Sequence, residues 1–286
     1  MGGKRSLRAK LRVASFNVDS MHEHLAVLRA KCAVSELVQL NPRADAIFLQ
    51  EVTPETLPVF IQRLKAFNYL LVPDQEEEEL DQPYFSVCFL NALTCLPQRA
   101  TRCQFPCSSH MGRDVIHVKA MFNYLEDPIQ VDLFGSHLES LASGSTKRIE
   151  QVQEIAKLLN QTFAESCSLC LFAGDTNLRE KEVSGPLKKS LQGIVDAWEA
   201  TGKSTENKYT WDMLENDSYK NTMDASPRCR FDRILARMGS SQRFSSFSLF
   251  AKNKLDDLGS SFPSDHFGIV ADIQFFSPRN EVIELE

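Results

Sequence analysis

The chain has no apolar run approaching the roughly 20 residues of a membrane-spanning helix, and its first residues lack the apolar core of a secretory signal. No membrane association is therefore expected, and a soluble intracellular protein is. It has no GxGxxG and no GxxxxGK[ST] segment, so nucleotide cradling by a glycine-rich helix start is unsupported. GxSxG is missing too, and no cysteine stands in a recognisable nucleophile motif, which leaves water as the expected nucleophile. Positive charge is also in short supply. A net charge of -6 and a pI near 5.6 argue against a protein that grips nucleic acid through a general basic coat, although a small basic groove beside an acidic metal site stays open.

Eight cysteines in 286 residues with no secretory segment do not make a disulfide scaffold, so reduced thiols are expected. Cys167-x-x-Cys170, with Cys103 and Cys107, has the look of two zinc half-sites. Their wide separation is unlike a compact zinc module, and buried structural thiols are the expected reading. Met1 to Ser6 fits the loose myristoylation pattern; the plainer alternative is a disordered basic leader over residues 1–10.

At 43% hydrophobic composition the chain can bury a substantial core, and one large domain is expected over residues 11–275, followed by a tail over 276–286. Strand-like runs at Leu11 to Phe16 and Ala46 to Glu51 are each followed by a helical pattern, at His22 to Leu40 and Pro54 to Phe67. Strands without long helices then follow at Phe85 to Leu90, Val115 to Met121 and Val131 to Phe134. A helix at Thr146 to Phe163 and a strand into Asp175 restore the alternation, and a short helix is expected near Ile194 to Ala200. Further strands are expected near Arg230 to Ala236 and Phe267 to Ile273. The carboxylate run Glu76 to Glu79 reads as a solvated loop, and Glu206 to Ser226 as a functional loop or insertion. The pattern predicts an α/β sandwich of mixed, mainly antiparallel sheets covered by helices.

Six short polar segments abut these apolar runs. They are SFN at 15–17, LQE at 49–51, SHLES at 136–140, GDTN at 174–177, FDR at 231–233 and SDH at 264–266. The first four end on residues that would sit on one rim if their strands ran together, and the last precedes a strand suited to return antiparallel. Glu51 offers an oxygen ligand for Mg²⁺, although alone it reads first as a solvated strand end. Asp175 and Asn177 can activate and orient a water, with Gly174 easing the turn; in isolation GDTN is also an ordinary turn. His266 can stabilise phosphate charge if Asp232 fixes its ring, the alternative for Asp232 being a salt bridge to arginine. Asp265 assists the metal or caps a turn. His137 is a second donor beside Ser140, or a structural histidine, and Asn17 suits a phosphate oxygen or a metal-bound water. Base, metal ligand and two imidazoles at matching strand edges favour phosphoryl chemistry.

Taken in order, Asn17, LQEV, SHLES, GDTNLR, YTWD, RFDRI and FPSDH resemble the endonuclease/exonuclease/phosphatase superfamily, over about Leu11 to Phe275. SHLES, GDTNLR and YTWD together resemble its branch that cleaves 5′-tyrosyl–DNA bonds. The resemblance implies two packed sheets flanked by helices, a four-layer DNase I-like α/β sandwich. It implies Mg²⁺-dependent hydrolysis, with Mn²⁺ able to substitute, of the bond between a 5′ DNA phosphate and a tyrosine of trapped topoisomerase II. Glu51 would bind the metal, with Asn17 and Asp265 assisting directly or through water. Asp175 and Asn177 would activate and position water, His266 would stabilise the pentavalent phosphorus, and Asp232 would orient His266. His137, Ser140 and Arg179 would hold phosphate oxygens, Arg113 would lie on the substrate side, and Trp211 with Phe231 would make a stacking wall. A core anchor for its own loop is the other reading of Trp211. The resemblance further implies a nuclear monomer, with cytoplasmic presence also possible. Phe16 and Phe267 stand where the superfamily branch carries tryptophan, and a ubiquitin-binding domain is not expected in this chain. Another phosphodiesterase of the superfamily, such as an apurinic endonuclease, RNA deadenylase or phosphoinositide phosphatase, is the alternative activity. A catalytically silent binding module on the same fold is the alternative outside enzymes.

Overall fold

The computed structural model describes residues 6–21, 25–73, 82–107, 109–122, 128–166, 169–218, 227–259 and 261–277. From the amino end, β1 (Leu7–Asn17) leads through α1 (Ala26–Gln39) to β2 (Ala46–Val52), and α2 (Leu57–Lys65) leads to β3 (Tyr69–Leu71) and β4 (Phe85–Asn91). Next come β5 (Cys95–Gln104), β6 (Asp114–Phe122) and β7 (Ile129–His137), then α3 (Ser145–Ser166) and β8 (Leu169–Asp175). The short elements α4 (Glu180–Ser184), β9 (Val195–Asp196) and α5 (Ala197–Ala200) precede a small antiparallel pair, β10 (Trp211–Asp212) with β11 (Arg228–Cys229). The chain closes with β12 (Asp232–Arg237), β13 (Gln242–Phe250) and β14 (Gly268–Phe276).

Two six-stranded sheets result, ordered β13-β14-β1-β2-β4-β3 and β5-β6-β7-β8-β12-β9. β1 pairs with β2 in parallel and β7 with β8 in parallel, each pair joined by a helical crossover; the other sheet pairings are antiparallel. One apolar cluster, including Leu11, Phe48, Val118, Leu133 and Leu171, fills the space between the sheets. A second packs Phe16, Ile47 and Phe89 against α1 and α2, and a third packs Phe134 and Phe172 against α3. These layers make the expected four-layer sandwich. Central strands β2 and β8 are buried on both faces, which is why they read as nearly continuous apolar runs.

The edges depart from the sequence reading. β1 begins at Leu7, inside the segment expected as leader, because Leu7 pairs with Phe276 of β14, one residue past the expected domain end. The helix expected near Ile194 to Ala200 shrinks to α5, since Val195 and Asp196 pair instead with Ala236 and Leu235 of β12. Edge strands β5 and β13 went unrecognised because about half of their side chains are polar and at least partly exposed. The proposed leader residues 1–5, the run Glu76 to Glu79, Cys167 and residues 219–226 lie outside the described residues. Among the described residues the cysteines join no metal-ligand cluster, and burial pushes the Cys95 and Cys170 thiols up to about 12. No described helix is long and apolar enough to cross a membrane.

One buried ion network fastens the seam where the chain ends meet. Asp272 on β14 accepts from Arg12 Nε at 2.6 Å and Nη2 at 2.8 Å, from Lys10 Nζ at 2.7 Å and from Ser246 Oγ at 2.5 Å. Burial favours the neutral acid, but these donors outweigh it and hold the carboxyl down at about 2. A depressed carboxylate pKa contributes stability above its unfolded value and loses it as pH falls through the folded value. Asp272→Asn should therefore lower the thermal midpoint at pH 7 by the equivalent of about 1 kcal/mol. The gap between variant and parent should close between about pH 4 and pH 2, as read by circular dichroism melts.

Candidate active site

The register of the sheets gathers the polar segments on one rim. Asn17 ends β1 opposite Gln50 of β2, and His137 ends β7 opposite Asp175 at the end of β8. Asp232 opens β12 in antiparallel register with Asp175. The return strand β14 is entered through Ser264, Asp265 and His266, and Ser264 Oγ donates to Asn17 O at 2.7 Å.

Local backbone irregularities aim two of the side chains. A register shift between Leu49 and Val52 makes a bulge in β2, and Glu51 within it has φ +58°. Asn177 has φ +52°. Left-handed backbone at a non-glycine residue persists only where its surroundings enforce it, and such residues concentrate at functional sites. Gly174 has a different role from the turn expected of it. It lies within β8, and a Cβ there would sit 2.0 Å from Ser136 O, so glycine is required by the close approach of β7.

At the centre, Asn17 Nδ2 donates to Glu51 Oε1 at 2.9 Å and to Asp175 Oδ2 at 3.0 Å. Asp175 Oδ1 also accepts from the Asn177 backbone N–H at 2.9 Å. Burial, followed by repulsion from Asp232, raises the Asp175 carboxyl to about 6. Burial and the charge of Asp265 raise Glu51 to about 7, against the pull of the Asn17 amide.

The two histidines are driven in opposite directions. His266 Nδ1 lies 2.8 Å from Asp232 Oδ2, and Nε2 lies 3.8 Å from Asp175 Oδ2. Burial would neutralise this ring, but Asp232, Asp265 and Asp175 outweigh it and hold its pKa well above the usual value. His137 is pushed well below by burial and then by Arg113 and His266. A neutral His137 ring accepts at Nδ1 from Arg113 Nη1 at 3.1 Å and presents Nε2 to Asp175 Oδ2 at 3.3 Å. One imidazolium and one imidazole thus flank the same carboxylate.

Asp175, Asp232 and His266 each offer one ligand atom within 4.8 Å of the others, a group able to hold a cation. A protonated His266 has no free lone pair to give, however. Across Asn17, Glu51 feels the negative charges of Asp265 and then Asp19, of which Asp19 is itself paired with Arg29. A buried acidic pocket of oxygen donors suits a hard divalent cation.

The flanks differ in chemistry. On one side Trp211 and Phe231 have ring centroids 5.7 Å apart, Phe231 lies 6.3 Å from His266, and Arg179 stands over Phe231 at 5.8 Å. Trp211 is half-buried, and its Nε1 donates to Asp265 Oδ2 at 2.9 Å, so it is tied to the site rather than serving only its loop. On the other side a cavity of about 460 Å³ is lined by Tyr84, Arg113 and His137, with Arg113 over the Tyr84 ring at 5.0 Å. The Ser140 hydroxyl is directed to Met111 Sδ at 3.2 Å.

Several participants escaped the sequence reading. Tyr84 carried no motif, and the buried Thr210, inside YTWD, was overlooked beside its tryptophan. Thr210 Oγ1 accepts from the N–H groups of Phe231 and Asp232, both at 3.0 Å, and so fixes the turn that presents them. Glu139, in the middle of SHLES, is buried and holds the loop that carries Arg113.

No protein-family model matches the chain. Human tyrosyl-DNA phosphodiesterase 2 is 32% identical over 266 residues, covering 91% of this chain and 67% of the relative. The Danio rerio protein of the same name is 31% identical over 266 residues, covering 91% and 66%. The chain belongs to the tyrosyl-DNA phosphodiesterase 2 family. It spans about two thirds of the length of these relatives. The Danio rerio family member solved with a single-stranded DNA product superposes with a TM-score of 0.80 at 28% identity, over 93% of this chain and 99% of that one. An endonuclease/exonuclease/phosphatase family protein from Bacteroides thetaiotaomicron shares the fold at 14% identity, with a TM-score of 0.69 over 96% and 99%. The chain is a phosphodiesterase, the chemistry that its donor set suits.

If Asp232 keeps His266 protonated, removing its charge should release the proton. In Asp232→Asn, the His266 ring resonances followed by NMR should titrate at lower pH than in the parent, while those of His137, relieved of the His266 charge, should not move down. An unchanged His266 titration would refute the pairing.

Proposed function

We propose that this chain hydrolyses, with Mg²⁺ bound, the ester between a 5′ DNA phosphate and a tyrosine side chain, such as that left by trapped topoisomerase II. The observation that carries this reading is the two-sided layout: an aromatic wall suited to a nucleobase on one flank, and a cavity with Tyr84 and Arg113 suited to a phenol on the other.

Asp175 takes the proton of a water attacking phosphorus, its raised pKa matching a general base that works near neutrality. The Asn177 amide nitrogen is held by Leu138 O at 3.2 Å, which leaves its side-chain oxygen to orient that water. The water oxygen bonds to phosphorus, the bond from phosphorus to the tyrosine oxygen breaks, and the tyrosine leaves while the 5′ phosphate stays on DNA. His266 donates from Nε2 to a non-bridging oxygen as charge develops, with Asp232 stabilising the imidazolium. Arg113, His137, Arg179 and Ser140 hold the remaining phosphate oxygens, the Ser140 hydroxyl turning from Met111 Sδ when substrate binds. Glu51, with Asn17 and Asp265 directly or through water, would hold the Mg²⁺, for which Mn²⁺ can substitute. When bound, that ion supplies Lewis-acid neutralisation of phosphate charge. Trp211 and Phe231 receive the terminal base. The catalytic unit is the body from β1 to β14, a monomer acting on DNA ends in the nucleus and open to the cytoplasm as well.

Single-stranded DNA bearing a 5′-phosphotyrosine should yield a 5′ phosphate only with Mg²⁺ or Mn²⁺ present. Glu51→Gln and Asp175→Asn should each lower kcat/KM by about 100-fold or more, and losses under about threefold would defeat the assigned roles. Cleavage of an abasic duplex, poly(A) or a phosphoinositide, with none of the phosphotyrosyl end, would move the chain to another superfamily substrate.

The wall makes a separate demand. Trp211→Ala should weaken use of a frayed or single-stranded end by about 1–3 kcal/mol, while hydrolysis of a small p-nitrophenyl thymidine phosphodiester lacking the stacked chain should suffer less. Equal losses on both would show that Trp211 acts through Asp265 and not by stacking.

A further inference from the structure

Behind the site a chain of buried polar groups connects the segments that carry Arg113 and Arg179. Glu139 is 1% exposed. Its Oε2 accepts from Ser109 Oγ at 2.8 Å, and its Oε1 accepts from the His110 N–H at 3.1 Å. Ser109 Oγ in turn accepts from the Arg113 N–H at 2.9 Å, which sets the backbone from which Arg113 reaches His137. In the other direction, the Glu139 N–H donates to Gln151 Oε1 at 2.9 Å, and Glu139 O accepts from Arg148 Nη1 at 2.7 Å. Arg148 is fully buried and grips Glu182 with both Nε, at 3.2 Å, and Nη2, at 2.7 Å. Glu182 Oε2 then accepts from the Arg179 N–H at 2.8 Å, closing the first turn of α4.

Such a network is costly to bury and is weaker evidence for stability than for position. A buried ion pair often does no better than an apolar replacement of the same shape, whereas its geometry is specific. Arg148 and Gln151 are three residues apart on α3, so they share one face of a rigid helix and present both hands of the clamp together. Close approach is also enforced at Gly144, where a Cβ would lie 2.2 Å from Ser140 O and 3.0 Å from Glu139 Cγ. Neither Glu139, Arg148 nor Glu182 is among the residues given a role in the chemistry above.

We propose that Glu139, Arg148 and Glu182 are positioning residues that fix the separation of Arg113 and Arg179, so that both guanidinium groups meet one phosphate. The inference rests on the proposed roles of those two arginines as phosphate holders. It places no new group in contact with substrate. The effect on rate is transmitted through backbone N–H groups, and each half of the clamp should act through its own arginine.

A pair of double-mutant cycles tests this, on 5′-phosphotyrosyl DNA and on p-nitrophenyl thymidine phosphodiester, with each variant's melting midpoint and near-ultraviolet dichroism recorded. Glu139→Gln should cost about tenfold in kcat/KM in the parent, mostly through KM, and less than about twofold once Arg113→Ala is present. Glu182→Gln, which loosens the Arg179 N–H contact and leaves the Arg148 bond to Glu139 O in place, should behave in the same way towards Arg179→Ala. Ser109→Ala replaces Glu139→Gln if the latter does not fold, because it breaks the same connection from the solvent side. Equal losses in the parent and in the arginine-deleted background, or no loss in the parent, would overturn the proposal. A parent that cleaves only the small diester would defeat the tyrosyl–DNA reading and still let the cycles be measured.

Discussion

The amide of Asn17 is the joint on which the site depends, because it stands between carboxylates delivered by both sheets. Glu51 belongs to the same sheet as Asn17, while Asp175 comes from the sheet opposite, and one side-chain nitrogen donates to each at about 3 Å. Two carboxylates brought together at a partly buried rim repel each other, and burial penalises their charges further. A neutral donor between them lowers that cost without adding a charge that would exclude a cation. Asparagine fits this position because one neutral amide reaches both carboxylates.

Charge is then distributed around that joint in a graded way. Asp232, Asp175 and Asp265 keep His266 protonated, whereas Arg113 and burial keep His137 neutral. The two rings have the same intrinsic chemistry and acquire different tasks from their neighbours alone. Asp175 sits between them with its carboxyl raised to about 6, close to where a base can both lose and accept a proton in neutral solution. A site of this kind needs its neighbours held accurately. Changing one charge moves the protonation of the others.

Much of the fold was legible because the central strands bury both faces and so read as apolar runs, and because crossover helices carry one apolar stripe each. Asn17, Glu51, Asp175, Asp232 and His266 were legible for a related reason: each is the polar residue that ends or begins such a run. Their convergence then followed from strands reaching one rim. What the sequence hid was support. Glu139, Arg148, Glu182 and Thr210 are polar residues whose burial depends on tertiary packing, and nothing local separates them from solvated side chains. The aim of Glu51 was hidden as well, since it comes from a β-bulge that appears only when β4 is paired beside β2. β5 and β13 escaped because edge strands, half facing water, carry no continuous apolar signal.

The strained backbone at Glu51 and Asn177 brings these points together. A left-handed residue without glycine is held there only if surrounding contacts outweigh a cost of about 1–3 kcal/mol. At Asn177 those contacts include its own N–H to Asp175 and its amide to Leu138 O, which ties this side chain to the residue that follows β7. At Glu51 the restraining contact is again Asn17. Each irregular residue is thus held in part by another member of the site, with Leu138 O and the pairing of β4 completing the restraint. The site's geometry and the local backbone strain are therefore mutually dependent: relaxing Asn177 to ordinary backbone would withdraw an N–H bond that, with the Asn17 amide, draws the Asp175 carboxyl down against burial and the charge of Asp232.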